Sequence, residues 1–263
     1  MDELDYEELS DKTGRKFVNK MKKGNGMDIS MPTAQSHYQD TINLAYAKYP
    51  NDEDRLQKIF REVKLSDYGA RNTIMQMDKD LTNFKKDRHK LEYVDYFNSF
   101  LQCKNPPALK YLFIDEAQDL SAHQWMVVDM IQQISKPIET YVAGDDDQAI
   151  FRWAGADIEH FIAMAKDDNN TVIPLTQSYR VPKSVHTLAT KMAQSISNRI
   201  DKQYNPRDDE GERKVLNFRP LNKDLETGEW LILCRTHEIV KQVCESLDRY
   251  GWLYKCYGKS IVN

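Results

Sequence analysis

The fold is decided by the stretch KYLFIDEAQDLS, which occupies residues 110–121. Its apolar run, Tyr111–Ile114, is closed by acids, a pattern typical of a strand that is buried on both faces of a parallel sheet. Apolar residues at helical spacing follow it, namely Val127, Met130, Ile131 and Ile134. Pro137 then ends this helix. The stretch therefore predicts a buried strand followed by a helix.

The alternation of strand and helix continues through the rest of the chain. Apolar runs predict further strands at residues 140–143, 171–175, 230–234 and 252–257. Helical spacing predicts helices over residues 158–165, 185–196 and 240–250, with Pro182 in the first turn of the second one. Strands and helices in this order predict an α/β fold with a mostly parallel sheet.

The first hundred residues have a different character. They are polar and rich in lysine, and they contain short amphipathic stretches such as the one around Ile42 and Tyr46. This composition favours helices joined by surface loops. Basic clusters at residues 15–23 and 85–90 are typical of solvated faces, and binding of an anionic partner is the alternative.

The composition bounds the class of protein. The 263 residues include 41 acids against 37 lysines and arginines, which gives a net charge of -4 and excludes an indiscriminately basic nucleic-acid coat. No apolar run approaches the roughly 18 to 20 residues of a membrane-spanning helix, and the acidic start MDELDYEELSDK is unlike a signal peptide. Four cysteines without a C-x-x-C pair indicate reduced thiols. We expect a soluble, cytoplasmic protein that does not bind membranes.

Three polar clusters fall directly after predicted strands, at residues 115–119, 144–148 and 177–180. In open parallel sheets, ligands bind beyond the carboxyl ends of the strands. An acid that ends a strand, here Asp115, is how nucleotide hydrolases hold Mg²⁺, and an adjacent glutamate, here Glu116, can orient or deprotonate the attacking water. A structural cap or a solvated loop is the alternative for this pair.

The second cluster places three adjacent acids, Asp145 to Asp147, shortly before Phe151 and Trp153. Adjacent carboxylates repel one another and are costly to bury, so they indicate either a surface turn or a site where cations or backbone donors hold them. The two rings stand at i and i+2, outside any helical stripe. They indicate either core packing or a channel for single-stranded nucleic acid, where stacking is worth about 1 to 3 kcal/mol per base.

Five blocks of sequence, taken together, carry a family resemblance. They are LFIDEAQDLS, VAGDDDQAIFRWAGA, LTQSYRVP, LILCRT and YKCYGK, starting at residues 112, 142, 175, 231 and 254. Their order and spacing closely resemble the UvrD/Rep/PcrA-like family of superfamily 1 DNA helicases. The resemblance runs from about residue 91 to residue 258.

This resemblance implies a P-loop NTPase fold, incomplete in this chain, with RecA-like parallel sheets flanked by helices. Residues 1–75 would form a helical accessory segment. Residues 76–176 would form the C-terminal part of the first RecA-like motor domain, and residues 177–263 the N-terminal part of the second.

The resemblance also implies how ATP is bound and hydrolysed. Asp115 would coordinate Mg²⁺ through water, and Glu116 would activate the attacking water. Tyr179 would lie against the adenine ring. Arg180 would reach the γ-phosphate from the opposite motor domain and stabilise the charge of the transition state.

The remaining site residues would connect ATP to DNA. Gln118 and Gln148 would sense the γ-phosphate and relay its state to the DNA site. Phe151 and Trp153 would stack on the bases of the tracking strand. Ala154 stands where the family commonly has an arginine, which puts one polar contact between the two sites in doubt.

The sequence departs from the family most at the phosphate loop, because it contains no G-x-x-x-x-G-K-[ST] motif. Gly258 to Ser260 supplies only the last three letters, with Leu253 at the position of the first glycine. The last two motifs of the family are expected beyond Asn263.

These features predict a fragment or split subunit of an ATP-dependent DNA helicase that couples ATP hydrolysis to movement on single-stranded DNA. Movement would run 3′ to 5′ by family analogy, in DNA repair or replication, and a separate polypeptide could supply the phosphate loop. The alternative is a non-catalytic remnant that binds single-stranded DNA or docks a partner. A nuclease would use similar carboxylates but would leave Gln148, Trp153 and Arg180 without a role.

Overall fold

The computed structural model describes residues 1, 3–17, 34–214 and 228–256. Within these residues, the helices before the sheet are α1 to α5, which span Glu3–Thr13, Ala34–Lys48, Arg55–Glu62, Tyr68–Arg88 and Tyr93–Cys103. The sheet consists of β1 (Tyr111–Ile114) and β2 (Glu139–Val142), with α6 (Ala122–Ser135) between them. The helices after it are α7, α8 and α9, which span Ile158–Lys166, Lys183–Ala193 and His237–Arg249.

The described residues form two compact units. One unit contains residues 1, 3–17 and 34–211, and the other contains residues 212–214 and 228–256. Helix α4 runs without a break through residue 75, and the first unit continues past residue 176. The division of the chain at residues 75 and 176 that the family resemblance implies stays a prediction.

The helical N-terminal region has its own core. Helix α4 buries one stripe of side chains, and its members recur at intervals of three or four residues: Ala70, Ile74, Met77, Leu81 and Phe84. From Ile74 onward, this stripe belongs to one cluster with Leu9 of α1, Ile42 of α2 and Phe60 of α3. Burying an aliphatic or aromatic side chain of this size contributes about 1.5 to 3 kcal/mol. The prediction of helices in the first hundred residues is confirmed.

Local capping explains where the helices around the sheet begin. Ser121 and Gln124 form a capping box at the start of α6, in which each side chain bonds the backbone of the other residue. Helix α6 ends at Ser135, directly before the left-handed residue Lys136 and the predicted stop at Pro137. The Asp157 side chain caps α7 by accepting a hydrogen bond from the His160 N–H at 3.2 Å. The predicted helices at both positions are confirmed.

The sheet is parallel, and a second cluster packs on one face of it. The register pairs Phe113 with Tyr141 and Ile114 with Val142. Ile114 and Val142 pack against a buried cluster from α6, α7 and the turn that follows β1; its members are Ala117, Trp125, Ile158, Phe161 and Ile162. The two strands and their crossover helix confirm an α/β arrangement.

The opposite face of the sheet differs from the prediction. Phe113 is 72% exposed and Tyr141 is 48% exposed, and their rings stack at 4.9 Å with an interplanar angle of 6°. The prediction that β1 is buried on both faces is therefore wrong for the described residues, because α6 and α7 cover only one face. The stacked pair leaves aromatic surface in water.

Two predicted strands do not form. Residues 171–175 and 230–234 are neither strand nor helix, and large apolar side chains in both segments are exposed, including Ile173, Leu175 and Leu231. A strand needs a neighbour for its backbone hydrogen bonds, and residues 171–175 and 231–234 belong to no ladder with the described residues. In the predicted strand at 252–257, Tyr254 forms an isolated bridge, and the segment from residue 257 onward, with Gly258 to Ser260, lies outside the described residues.

The described residues contain no helix that is both long enough and apolar enough to span a bilayer.

Gly155 offers a test of how tightly the first unit is packed. Its φ is +100°, and an added Cβ would lie 2.7 Å from Cβ of Ala47 in α2. We expect Gly155→Ala to lower the free energy of unfolding by the strain of a left-handed backbone, about 1 to 2 kcal/mol, and by an overpacking cost of about 1 to 3 kcal/mol. Urea-induced unfolding followed by circular dichroism measures the sum.

Gly14→Ala is the matched control for this substitution. Gly14 also has a positive φ, +66°, but an added Cβ would meet nothing within 4 Å. We expect this variant to lose only the strain contribution, about 1 to 2 kcal/mol. Equal losses in the two variants would show that the approach of Gly155 to α2 has no cost.

Candidate functional site

The carboxyl ends of the two strands meet and are joined by backbone hydrogen bonds. The Ala143 N–H donates to the Ile114 carbonyl at 2.8 Å, and the Ala117 N–H donates to the Ala143 carbonyl at 3.0 Å. The residues that follow β1 and β2 therefore share one edge of the sheet. Of the three polar clusters in the sequence, the structure brings the first two together at this edge.

Gln118 connects these two clusters. Its side chain is buried, with 1% of the residue exposed, and both ends of its amide are bonded. The Nε2 atom donates to Oε2 of Glu116 at 2.7 Å, and the Oε1 atom accepts from the Asp145 N–H at 3.0 Å. The Gln148 Nε2 atom donates to Oδ2 of Asp145 at 2.6 Å. A continuous chain of contacts thus links Glu116, Gln118, Asp145 and Gln148.

Glu116 occupies an unusual backbone conformation. Its φ is +51°, in the left-handed region that non-glycine residues adopt infrequently. Such conformations concentrate at functional sites, where the surrounding structure holds them in place. Here the bond from the Ala117 N–H to the Ala143 carbonyl fixes the backbone after Glu116, and the Gln118 amide binds the Glu116 carboxylate at the open edge of the sheet.

Asp115 is the residue for which the sequence predicts a role as Mg²⁺ ligand. It follows β1 directly, it is exposed, and one carboxylate oxygen accepts from the Glu116 N–H at 2.9 Å. Mg²⁺ is usually held by one or two carboxylates together with water and substrate phosphates. Asp115 and the exposed Glu116 beside it supply such carboxylates.

Asp119 has a different environment from Asp115. Burial and the nearby charge of Glu116 both raise the pKa of Asp119. Its Oδ1 atom is buried and has no hydrogen-bond partner among the described residues. Asp119 therefore favours the protonated form more than an exposed aspartate does.

Two cations hold the three adjacent acids. Arg199 makes a two-pronged contact with Asp147, at 2.9 Å and 2.7 Å. The Nζ atom of Lys202 lies 3.0 Å from Oδ1 of Asp145 and 3.2 Å from Oδ2 of Asp147, and it also bonds Asp146. The Asp146 carboxylate accepts a further hydrogen bond from the Ile200 N–H at 2.7 Å. The sequence left open whether these acids form a surface turn or a site held by cations or backbone donors, and the structure shows the second arrangement.

These ion pairs shift the acid–base properties of their members. The hydrogen bonds from Arg199 hold the pKa of Asp147 below its usual range. This interaction therefore stabilises the fold above the unfolded pKa of about 3.9, and its contribution is lost as the pH falls through the folded pKa. Burial acts to lower the pKa of Lys202, but its bonds to Asp146 and Asp145 outweigh burial and raise that pKa overall.

Sequence reasoning did not identify Arg199 or Lys202. Both residues lie more than fifty positions after the acids that they bind. Three adjacent acids signal that cations are needed, but nothing in the local sequence indicates which cations will supply the charge.

Phe151 and Trp153 lie on the surface. Trp153 is 74% exposed and Phe151 is 40% exposed, with ring centroids 6.2 Å apart. Trp153 belongs to a short 3-10 turn, Arg152–Ala154, that ends at Gly155, which approaches α2. These exposures contradict the core-packing alternative for Trp153. Stacking of bases on the two rings stays a prediction.

The third cluster does not join the network at the sheet edge. Tyr179 and Arg180 are exposed, and their side chains make no hydrogen bond or ion pair with the described residues. Their segment is held through its backbone, where the Ser178 N–H donates to the Asn205 carbonyl at 2.8 Å. The Ser178 hydroxyl also accepts from the Val181 N–H at 3.1 Å. Both side chains are accessible to a ligand.

A shallow cavity of about 570 Å³ lies away from the predicted site residues. It is bounded by the loop after α2 and by α6 and α7, and its lining includes Asp52, Trp125, Asp129 and His160. The Trp125 and His160 rings stack there at 4.4 Å. None of the eight predicted site residues lines this cavity.

The sequence of this chain matches a known protein family over the region that contains the sheet edge of the candidate site. The UvrD/REP helicase N-terminal domain family matches residues 3–169, which is more than half of the chain. The chain belongs to the UvrD/REP helicase family. The match includes the strand ends, the Gln118 network and the turn that carries Trp153.

Individual members of the UvrD/REP family are similar over shorter stretches. The ATP-dependent DNA helicase PcrA of Bacillus subtilis is 38% identical over 156 residues, which cover 58% of this chain and 20% of that protein. DNA helicase II of Rickettsia typhi is 32% identical over 114 residues, or 40% of this chain and 17% of that protein. PcrA of Leuconostoc citreum is 26% identical over 167 residues, or 57% of this chain and 22% of that protein. The matched region spans about a fifth of the length of these relatives.

The Gln118 bridge can be tested through stability. Gln118→Met keeps the volume but removes both hydrogen bonds, and it leaves the Asp145 N–H without its acceptor. We expect the free energy of unfolding to fall by about 1 to 3 kcal/mol, the cost of an unpaired polar group in a partly buried site. Denaturation of the purified protein in urea gives this value.

Gln148→Met serves as the comparison variant. Gln148 is exposed and makes one side-chain bond to Asp145, so water can replace the lost partner. We expect a loss of less than about 1 kcal/mol. A loss at Gln148 as large as the loss at Gln118 would contradict the central position of Gln118 in the network.

Proposed function

We propose that this chain is part of an ATP-dependent DNA helicase that couples ATP hydrolysis to movement on single-stranded DNA. The observation that carries the proposal is the series of hydrogen bonds that links Glu116, Gln118, Asp145 and Gln148. This series begins at an exposed pair of acids and ends three residues before Phe151. These hydrogen bonds support a direct structural connection between a nucleotide site and a DNA site.

The acids at the end of β1 fit ATP hydrolysis. Asp115 would hold Mg²⁺ through water, and the ion would neutralise charge on the phosphates. Glu116 would accept a proton from the water whose oxygen bonds the γ-phosphorus, while the bond from that phosphorus to the bridging oxygen of ADP breaks. The hydrogen bond from Gln118 would hold one oxygen of Glu116 in place.

The exposed third cluster fits the rest of the nucleotide. Tyr179 offers a ring that is 83% exposed, which could lie on the adenine. Arg180 is exposed and could extend to the γ-phosphate. An arginine supplied in this way is worth on the order of 10³-fold in rate in other phosphoryl-transfer enzymes.

A conformational relay would act through Gln148. A phosphate that attracts the amide of Gln148 would compete with its bond to Asp145, and the backbone turn that follows carries Phe151 and Trp153. A shift of that turn would move the bases that stack on the two rings. Movement 3′ to 5′, a place in DNA repair or replication and a cytoplasmic location belong to this proposal by analogy with the family.

The nucleotide site also needs a phosphate loop, which the sequence of this chain does not contain. We propose that it is supplied by a further segment or by a separate polypeptide. Its backbone N–H groups and lysine would bind the β- and γ-phosphates. Two RecA-like motor domains would then enclose the ATP.

The missing phosphate-loop motif favours a second candidate function. The chain would bind single-stranded DNA or a partner protein without hydrolysing ATP. The exposed Trp153 favours DNA as the ligand of this second candidate, and ATP turnover then separates it from the helicase.

DNA binding depends on Trp153 in both candidates. We expect Trp153→Ala to weaken binding of a fluorescent oligothymidylate about 5- to 150-fold, because one stacked base is worth about 1 to 3 kcal/mol. Fluorescence anisotropy at low ionic strength measures the dissociation constant. Trp230→Ala is the control, since Trp230 is a similarly exposed tryptophan in the second unit. Unchanged binding by Trp153→Ala would contradict the stacking role.

ATP turnover separates the two candidates. A fusion of this chain to a segment that carries G-x-x-x-x-G-K-[ST] should hydrolyse ATP in a DNA-dependent manner. We expect Glu116→Gln to reduce this rate about 10²- to 10⁴-fold, because the general base is lost. Release of phosphate measures the rate.

Glu139→Gln, at the opposite end of β2, should leave the ATPase rate of the fusion unchanged. Full DNA-stimulated activity after Glu116→Gln would refute the assigned mechanism. Hydrolysis by the isolated chain, lost on Arg180→Ala, would eliminate the non-catalytic candidate.

A further inference from the structure

We propose that Lys202 is a positioning residue for Gln148, because it holds Asp145 in the orientation that accepts the hydrogen bond of the Gln148 side chain. The contact between Lys202 and Asp145 is observed among the described residues. Its consequence for ATP hydrolysis rests on the proposed function, in which Gln148 senses the γ-phosphate.

Lys202 is placed to act on Asp145 directly. Its Nζ atom lies 3.0 Å from Oδ1 of Asp145, which also accepts from the Asp147 N–H at 3.1 Å. The other oxygen of the same carboxylate, Oδ2, accepts from Nε2 of Gln148 at 2.6 Å. Lys202 and Gln148 therefore use opposite oxygens of one side chain. Rotation of the Asp145 carboxylate away from Lys202 would also withdraw the acceptor from Gln148.

Repulsion among the three adjacent carboxylates explains why a cation is needed at the position of Lys202. Asp145, Asp146 and Asp147 bring three negative charges together, and Lys202 contacts all three carboxylates. The Lys202 side chain is 21% exposed and that of Asp146 is 2% exposed, so water screens the group weakly. Without Lys202, the carboxylates would repel one another, and the bond from the Asp147 N–H would have to hold Asp145, the most exposed of the three, against that repulsion.

Arg199 does not duplicate the role of Lys202. Its guanidinium binds Asp147 through both oxygens and makes no contact with Asp145 among the described residues. The two cations are therefore functionally distinct, although they bind the same cluster. A variant at Arg199 removes one positive charge from the cluster and leaves the Lys202–Asp145–Gln148 contact in place.

The experiment follows the side-chain amide of Gln148 by NMR in the 263-residue chain labelled with ¹⁵N-glutamine. Loss of one resonance pair in Gln148→Glu assigns the signal. An amide proton donated to a carboxylate resonates downfield of a solvated one and exchanges more slowly. We expect both properties in the wild-type protein, and we expect Lys202→Met to shift the signal upfield and to speed its exchange.

Three comparisons make the result specific to Lys202. Lys202→Arg should restore the wild-type signal of Gln148, because it keeps a cation at the cluster. Arg199→Met should leave the signal near its wild-type position, although it destabilises the fold. The amide of Gln118, which donates to Glu116, should stay unchanged in every variant.

Several outcomes would overturn the proposal. A solvated Gln148 amide in the wild-type protein would exclude the contact without any variant. An unchanged Gln148 signal in a folded Lys202→Met protein would leave Lys202 as a structural ion pair only, and equal shifts in Arg199→Met and Lys202→Met would show an effect of charge alone. Lys202→Gln, of similar length but neutral, replaces Lys202→Met where that variant does not fold, with the same expectation.

This experiment is independent of the proposed function. It uses neither ATP nor DNA, so a failure of the chain to bind DNA would leave the NMR result intact. Conversely, an unchanged Gln148 signal in Lys202→Met would leave the roles proposed for Glu116 and Trp153 unaffected. The two proposals therefore fail separately.

Discussion

The parallel pairing of β1 with β2 is the constraint on which the rest of the first unit depends. Because Ile114 is in register with Val142, the segments that follow β1 and β2 leave the sheet at the same edge. The contact between Gln118 and Asp145 follows from this register, since a shift of one residue would move the two residues apart. Gly144 shows how little room remains: an added Cβ would lie 2.7 Å from Oε1 of Gln118 and 3.0 Å from the ring of Phe161.

The site combines two electrostatic environments within a few residues. Asp115 and Glu116 are exposed carboxylates at the open edge, where a cation can approach. Asp146 and Asp147 are held by Lys202 and Arg199 from a segment after α8. Three carboxylates with two cations keep a small net charge, so the cluster opposes an anionic nucleotide far less than three free acids would. Gln118 lies where the two environments meet.

Features set by local sequence could be predicted. The helical spacing in α6 and the stop at Pro137 predicted the position of that helix, and the apolar runs predicted β1 and β2. The meeting of two acidic clusters followed from a general property of parallel sheets, since their carboxyl ends share one edge. Such features can be predicted because they depend only on residues that are close in sequence or on the fold class.

Features set by distant residues could not be predicted. The apolar run at residues 171–175 has the composition of a strand, but whether it forms depends on a partner elsewhere in the chain. Arg199 and Lys202 reach their acids across more than fifty residues, which no local pattern encodes. The exposure of Phe113 likewise depends on what covers the sheet rather than on the strand itself.

The stacked Phe113 and Tyr141 rings also affect how the protein behaves as a solute. Contiguous aromatic surface on a monomer lowers its solubility, and a net charge of -4 on 263 residues provides little repulsion between molecules. Added salt screens that repulsion while leaving the attraction between aromatic faces in place. We therefore expect the solubility of the chain to fall as salt is added.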